Sequence, residues 1–284
     1  VDIGVEEERH MRATDALRRY LPEQVRAALR YYYTQSRLMG ESISDAVRRT
    51  PANGIDLPPA RLRYRVHGAM DARSFLKVGK QCADDIRRSL RYLSRDLSSF
   101  TEALDFGCGC GRILRYYDLC SGLRFYGTDI DPEAIRWCRV SLPGAQFAVN
   151  SISPPLPFSD AKFDFIYGIS VLTHLDEGHQ LAWLQELRRV AQPGAVLLLT
   201  VHGNLALSGL SAGEIEMAQE RGFFFKTFRT GKYKLDGLPD FYQSAVHTKE
   251  YVYRVWSKYF TVSGYLPREM NGHQDVVLLE RKGR

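Results

Sequence analysis

From residue 101 onward, short apolar runs alternate with amphipathic stretches, and that alternation limits the fold more than any other feature of the chain. Ala103–Phe106, Arg124–Thr128, Gln146–Val149, Phe163–Ile169 and Ala195–Val201 read as five strands. Between them, helices are expected through Ile113, Leu114 and Tyr117, over Pro132–Val140, and over Gln180–Ala191, where Leu181, Leu184, Leu187 and Val190 share one face. Pro154-Pro155-Leu156-Pro157 forces a loop before the fourth strand, and Pro193-Gly194 separates the last of these helices from the fifth. Buried strands separated by helices build a parallel sheet covered on both faces. Two last strands, Tyr259–Tyr265 and Asp275–Arg281, follow a helix at about 248–258. Their link, Pro267–His273, is too short for a helical crossover, so the pair is expected to be antiparallel.

The flanks read differently. Residues 1–100 are expected to form a helical N-terminal cap and 101–284 the α/β domain, with an insertion at about 204–246 where the strand–helix rhythm is lost. Pro22 is placed to open a helix through Val25, Leu29 and Tyr32. Residues 51–60 carry prolines and glycine and read as a loop. Phe75, Cys82, Ile86, Leu90 and Leu93 recur with helical spacing, so a second helix is expected over 72–93. Gly79 inside it points to a close approach by another group, a bound cofactor among the candidates. The aromatic runs Tyr31–Tyr33 and Phe223–Phe225 suit core or cap packing, or the walls of an acceptor pocket.

Composition narrows the classes. Apolar residues make up 44% and charged residues 25% of 284, enough for a real core. No apolar run approaches a membrane span, and the acidic stretch Val1–Glu8 lacks the apolar region of a signal peptide, so a cytoplasmic protein is expected. The cysteines are Cys82, Cys108, Cys110, Cys120 and Cys138. Their odd number suits reduced thiols, and no zinc spacing is visible. The net charge of +6 belongs wholly to residues 1–100, which hold 19 basic against 13 acidic side chains. Solvated helix faces explain this, and attraction of an acidic small-molecule substrate is the sharper alternative. No interleaving of basic and aromatic residues points to nucleic acid as a partner.

The first strand runs into Asp105-Phe106-Gly107-Cys108-Gly109-Cys110-Gly111. Glycines at that spacing let backbone approach a ligand without obstruction from Cβ atoms. Position 112 is Arg, where a dinucleotide fingerprint needs Gly. Asp105 suits an ammonium group, which dinucleotides lack. Asp129 ends the second strand, where a carboxylate can accept both hydroxyls of a ribose.

Four blocks in order now resemble the class I S-adenosylmethionine-dependent methyltransferase family: A-L-D-F-G-C-G-C-G-R, Y-G-T-D-I-D-P-E-A-I, P-L-P-F-S-D-A-K-F-D-F-I-Y-G-I-S-V-L-T-H-L and L-R-R-V-A-Q-P-G-A-V-L-L-L-T, within Ala103 to Val201. The resemblance implies an α/β, Rossmann-like sheet of seven strands, mostly parallel, with an antiparallel last strand. It implies S-adenosyl-L-methionine as cofactor and S-adenosyl-L-homocysteine as product. By it, Asp105 and the backbone of Gly107, Cys108, Gly109 and Gly111 hold the methionine end. Asp129 holds the ribose, Ile130 packs on the adenine, Asn150 and Ser151 sit by its amino group, and Ile169 and Ser170 face the sulfonium. Asp131 is an alternative helix cap beside Asp129.

Methyl transfer needs a base only when the acceptor must lose a proton. His202 follows the fifth strand at the expected ligand edge, His174 follows the fourth, and His247 opens the helix before the sixth; these are the catalytic candidates, with His273 a further one. Each also has a plain structural reading as a hydrogen-bonding or capping residue. The expected acceptor is a small molecule such as a natural product, a sugar derivative or a lipid intermediate. An RNA methyltransferase and a non-catalytic cofactor-binding module are the alternatives, and no metal is expected.

Overall fold

The computed structural model describes residues 21–48, 54–120, 122–227 and 240–283. The acidic segment Val1–Glu8, residues 51–53 of the proline-rich loop and residues 228–239 of the insertion lie outside them. Seven strands form one sheet: β1 (Glu102–Phe106), β2 (Arg124–Asp129), β3 (Ala145–Val149), β4 (Phe163–Gly168), β5 (Ala191–Val201), β8 (Thr261–Met270) and β9 (Gln274–Glu280). The order is β3-β2-β1-β4-β5-β9-β8. The first five pair in parallel, whereas β9 runs antiparallel to β5 and to β8. The expected seven-stranded architecture is therefore present. A two-stranded antiparallel sheet, β6 (Phe223–Lys226) with β7 (Ser244–His247), lies in the insertion, after a helix at Ala212–Arg221.

Strand alternation explains why the sheet needs cover on both sides. Leu104, Phe106, Leu197 and Leu199 point to one face, against Trp183, Leu184, Leu187 and Val190 of the helix Glu177–Val190. Ala103, Phe165, Tyr167, Val196 and Leu198 point to the other. Three N-terminal helices are described: α1 (Glu23–Arg48), α2 (Ala60–His67) and α3 (Ala72–Tyr92). Asp71 caps α3, its carboxylate accepting from the Arg73 and Ser74 amides.

Helix α3 packs against the sheet. Its Cys82, Ala83, Ile86 and Leu90 belong to the core on the second face of the sheet, with Phe165 and Leu198. One expectation is corrected beside it. The glycine loop does not open an α-helix; only a 3-10 turn, Leu114–Tyr116, follows it. Arg115 is buried there and donates to the carbonyls of Ile55 and Asp56, which ties the segment to the loop before α2. Ile113, Leu114 and Tyr117 still enter the core, and α3 packs beside them on that face.

Gly79 is the point of closest contact between α3 and that turn. A Cβ there would lie 2.4 Å from the Arg112 carbonyl oxygen. The close approach read from the sequence is thus to backbone, not to a cofactor. Gly79→Ala is expected to destabilise the protein by about 1–3 kcal/mol through overpacking, despite the better helix propensity of alanine. An unchanged or raised melting temperature would show that α3 can move away from the loop.

Helix α1 corrects another expectation. Tyr31, Tyr32 and Tyr33 are 43%, 70% and 55% exposed, so they neither fill the core nor line a pocket. The helix is held by Arg63 of α2, which is fully buried and donates to Asp45 at 2.8 and 3.1 Å.

Candidate functional site

Strand order reverses between β1 and β4, and open α/β sheets bind ligands beyond the strand ends at such a point. A cleft of about 330 Å³ opens there. Asp105 lies on β1 opposite Gly127 of β2 and Tyr167 of β4, at the carboxyl end of the sheet. Gly107 and Cys108 donate their amides to the Thr128 carbonyl, which folds the loop back over β2.

Two glycines make the cradle possible. Gly107 has φ +80°, and a Cβ there would lie 2.3 Å from Val171 Cγ2. Gly109 has φ +53°, and a Cβ would meet Val66 Cγ2 of α2 at 2.5 Å. Positive φ together with that crowding leaves no room for a side chain. Gly111 does not line the cleft. It packs behind the loop, 2.4 Å from Leu142 measured from a built Cβ.

Asp129 ends β2 with its carboxylate at the cleft. Its Oδ2 accepts the Gly109 amide at 2.8 Å and its Oδ1 the Asp131 amide at 2.9 Å. Burial pushes its pKa above the ordinary carboxylate value. Asp131 caps the next helix, Pro132–Ser141, through the Glu133 and Ala134 amides, and pairs with Arg65 at 2.9 Å. Both acids border the cleft, and Asp131 also opens a helix. Asp105 is 2% exposed, and burial, with the Asp129 carboxylate nearby, pushes its pKa up to about 8.

Ile130, Asn150, Ser151, Ile169 and Ser170 also line the cleft. The Asn150 side-chain Nδ2 donates to the Ser151 carbonyl, while its Oδ1 is buried without a partner. Ser170 has φ +61°, uncommon for a residue with a side chain and frequent at ligand sites. Its amide donates to Thr200 Oγ1, and its hydroxyl accepts from Gln274 Nε2 at 2.7 Å. Arg112 lines the cleft as well, as do Arg65, Val66, Trp183, Phe241 and Tyr242, which were not foreseen. Helix α2 did leave a signal: Pro58-Pro59 before it, and Gly68 after it in the left-handed conformation, bracket a short helix.

The histidines separate into two groups. His247 is 1% exposed, and its Nε2 meets Gln180 Oε1 at 2.8 Å. Gln180 in turn donates to the carbonyls of Leu172 and Leu175, so His247 braces the turn after β4 from inside the core. Burial pushes its pKa down to about 3. His247 lines neither the cleft nor the cavity beside it. His174 lines a second cavity beside the cleft, with Tyr242 stacked on it at 3.9 Å. Its Nδ1 faces the Gln243 carbonyl at 2.6 Å, so Nδ1 carries the proton and Nε2 the lone pair. His202 lies 6.0 Å from the His174 ring and 5.8 Å from that of His273, and lines neither cavity. Burial and His273 push its pKa down to about 4, which makes it a weak base.

Residues 104–199 match the methyltransferase domain family. An O-methyltransferase of Aspergillus sclerotiorum is 30% identical over 34% of this chain and 38% of its own length. A tRNA (carboxymethyluridine(34)-5-O)-methyltransferase of Arabidopsis thaliana is 35% identical over 37% of this chain and 25% of its own. The chain thus spans well under half the length of these two curated relatives. Among solved structures, the 1,6-didemethyltoxoflavin-N1-methyltransferase of Burkholderia thailandensis, with 1,6-didemethyltoxoflavin and S-adenosylhomocysteine bound, aligns with TM-score 0.52 at 18% identity. That alignment covers 78% of this chain and 88% of the other, and is a likeness of fold.

Proposed function

The chain belongs to the class I S-adenosylmethionine-dependent methyltransferase family, and from that premise we propose that it methylates a small-molecule acceptor. One observation carries the reading: a cleft with a glycine cradle shares the wall Ile169–Ser170 with a second cavity. Donor and acceptor would thus meet at the carboxyl end of β4.

The residues of the cleft fit the cofactor. Gly107 and Gly109 leave backbone bare where a Cβ would fill the space. The partnerless Asn150 Oδ1 suits the amino group of an adenine. Asp129 would accept the ribose hydroxyls, Ile130 would pack on the base, and Asp105 would face the ammonium. Bound there, S-adenosylmethionine supplies a methyl group on a sulfonium that carries its own leaving group. The chain then has to align an acceptor with that methyl and exclude water. Phe241 and Tyr242 of the insertion cover the cleft, and Leu175 and Trp183 make its floor apolar. For an acceptor that must lose a proton, His174 would take it at Nε2, with its ring fixed by the Gln243 carbonyl and Tyr242.

Ion pairing supports a small molecule over a nucleic acid. Arg61 pairs with Glu133, Arg63 with Asp45, Arg65 with Asp131, Arg87 with Asp84 and Arg88 with Asp85. These arginines are engaged in ion pairs within the fold, and Arg61 and Arg65 reach acids beyond residue 100, which leaves them less free for phosphates. No described helix is long and apolar enough to cross a membrane. The five cysteines are unpaired, which suits a reducing compartment.

Asp105 gives this reading a pH signature. With its pKa pushed up to about 8, it is protonated near neutrality before the ligand arrives. An ammonium favours the carboxylate, so binding expels a proton. Affinity for S-adenosylmethionine is expected to rise by up to about tenfold per pH unit between pH 6 and 7.5. It should then level off where the amino group of the ligand loses its own proton, at about 7.7–8.0. Calorimetry at pH 6.5 in buffers of different ionisation heat should show about one proton released per ligand bound. Asp105→Asn should flatten the rise. No binding of S-adenosylmethionine at any pH would sink the proposed function.

A further inference from the structure

The second cavity, about 410 Å³, adjoins the cofactor cleft and shares Arg65, Val66, Arg112, Ile169, Ser170 and Tyr242 with it. Val78, Cys82 and Met270 give it an apolar side, and His67, His174 and His273 a polar one. Two arginines and three histidines line it, with no aspartate or glutamate.

The two arginines are not equivalent. Arg65 is neutralised by Asp131 and Glu133, each at 2.9 Å. Among the described residues, no carboxylate lies within ion-pair distance of Arg112. Its Nη1 faces His67 Nδ1 at 3.2 Å, and its Nε is buried without a partner. Burial and the Arg112 charge hold His67 near pKa 4, so at neutral pH that imidazole is an uncharged acceptor whose Nε2 donates to Ser74 Oγ. Asp105 feels the Arg112 charge across the loop, and Arg112 borders both the cofactor cleft and the recess, but the two side chains form no ion pair. A half-buried guanidinium without a counterion is costly, and its fork of donors matches a planar or tetrahedral anion.

We propose that this recess takes a methyl acceptor bearing a carboxylate or phosphate group, held by Arg112, with its apolar body against Val78, Cys82 and Met270. The proposal rests on the methyltransferase reading of the adjoining cleft. It gives Arg112 to the acceptor rather than to the cofactor.

The test uses the full chain saturated with S-adenosylhomocysteine, whose affinity is measured first. Benzoate, phenyl phosphate and the neutral isostere benzamide are then titrated by saturation-transfer NMR. At least one of the two anions is expected to bind ten times or more tightly than benzamide, and the better one identifies the group. Arg112→Gln should erase the preference; because Arg112 also borders the cofactor cleft, an unchanged circular dichroism spectrum and melting temperature show that the variant folds, and its S-adenosylhomocysteine affinity should fall less than tenfold. Arg112→Lys should keep part of the preference, because it retains the charge but not the fork. Equal binding of both anions and benzamide overturns the proposal. So does a preference that survives Arg112→Gln, or a loss of more than tenfold in S-adenosylhomocysteine affinity in that variant. If the wild type binds no S-adenosylhomocysteine, the methyltransferase reading fails, and the same titrations on the unloaded protein still decide whether the recess selects anions.

Discussion

Replacing Asp129 with alanine is expected to weaken S-adenosylmethionine binding at least a hundredfold. Two effects add. The carboxylate would accept both ribose hydroxyls, and hydrogen bonds to a charged group contribute about 1.5–3 kcal/mol each. It also holds the cradle, because Oδ2 takes the Gly109 amide and Oδ1 the Asp131 amide. Losing two hydroxyl contacts alone costs about 3–6 kcal/mol, and the freed Gly109 amide loosens the loop that lines the ligand. Asp129→Asn keeps the size and one acceptor oxygen, so its loss should be intermediate. Calorimetric titration separates the three proteins, and alanine binding like wild type would remove Asp129 from the site.

Gly107→Ala is expected to be the most damaging change of a single methyl group. The new Cβ would lie 2.3 Å from Val171 Cγ2 in a backbone with φ +80°. The left-handed conformation costs a side chain roughly 1–2 kcal/mol, and overpacking about 1–3 more. The protein should lose about 2–5 kcal/mol of stability, and with it the cradle geometry and measurable cofactor affinity. Trimming the neighbour relieves only the clash. The double variant Gly107→Ala/Val171→Ala should therefore be more stable than the sum of the single losses implies, by about 1–3 kcal/mol. Strict additivity in thermal or denaturant unfolding would show that Val171 does not crowd Gly107.

The parallel sheet was legible because its strands announce themselves. Runs such as Val196–Val201 are buried on both faces, and no helix would need so continuous an apolar stretch there. The antiparallel end followed from the short link before Asp275. The N-terminal third was less legible because its partners are distant in sequence. Helix α3 carries the periodicity of any amphipathic helix, and nothing local says that its apolar face meets the sheet rather than a cap. The helix expected after the glycine loop failed for a similar reason. Its apolar residues Ile113, Leu114 and Tyr117 do reach the core, but Arg115, bound to carbonyls about 60 residues away in sequence, holds the chain in a turn.

Within the site, ligand-edge residues such as Asp105, Asp129 and Ser170 could be placed from strand ends. Burial could not. His247 and His174 look equally available in the sequence, yet one is locked to Gln180 inside the core and the other borders a cavity. Gly111 belongs to the same motif as Gly107 and Gly109, yet it serves packing against Leu142. The anionic preference proposed for the recess was foreshadowed by the basic excess of residues 1–100, but from the wrong residues. Several arginines of that segment pair with acids, whereas Arg112, just after the glycine loop, has no carboxylate within ion-pair distance among the described residues.

Co-crystallisation with S-adenosylhomocysteine tests the donor site most directly. The predicted result is one molecule per chain in the cleft, with its amino acid end along Gly107–Gly109, its ribose on Asp129 and its sulfur toward Ser170. A molecule bound elsewhere, or a cleft that stays empty at saturating ligand, would contradict the assignment of this cleft to S-adenosylmethionine.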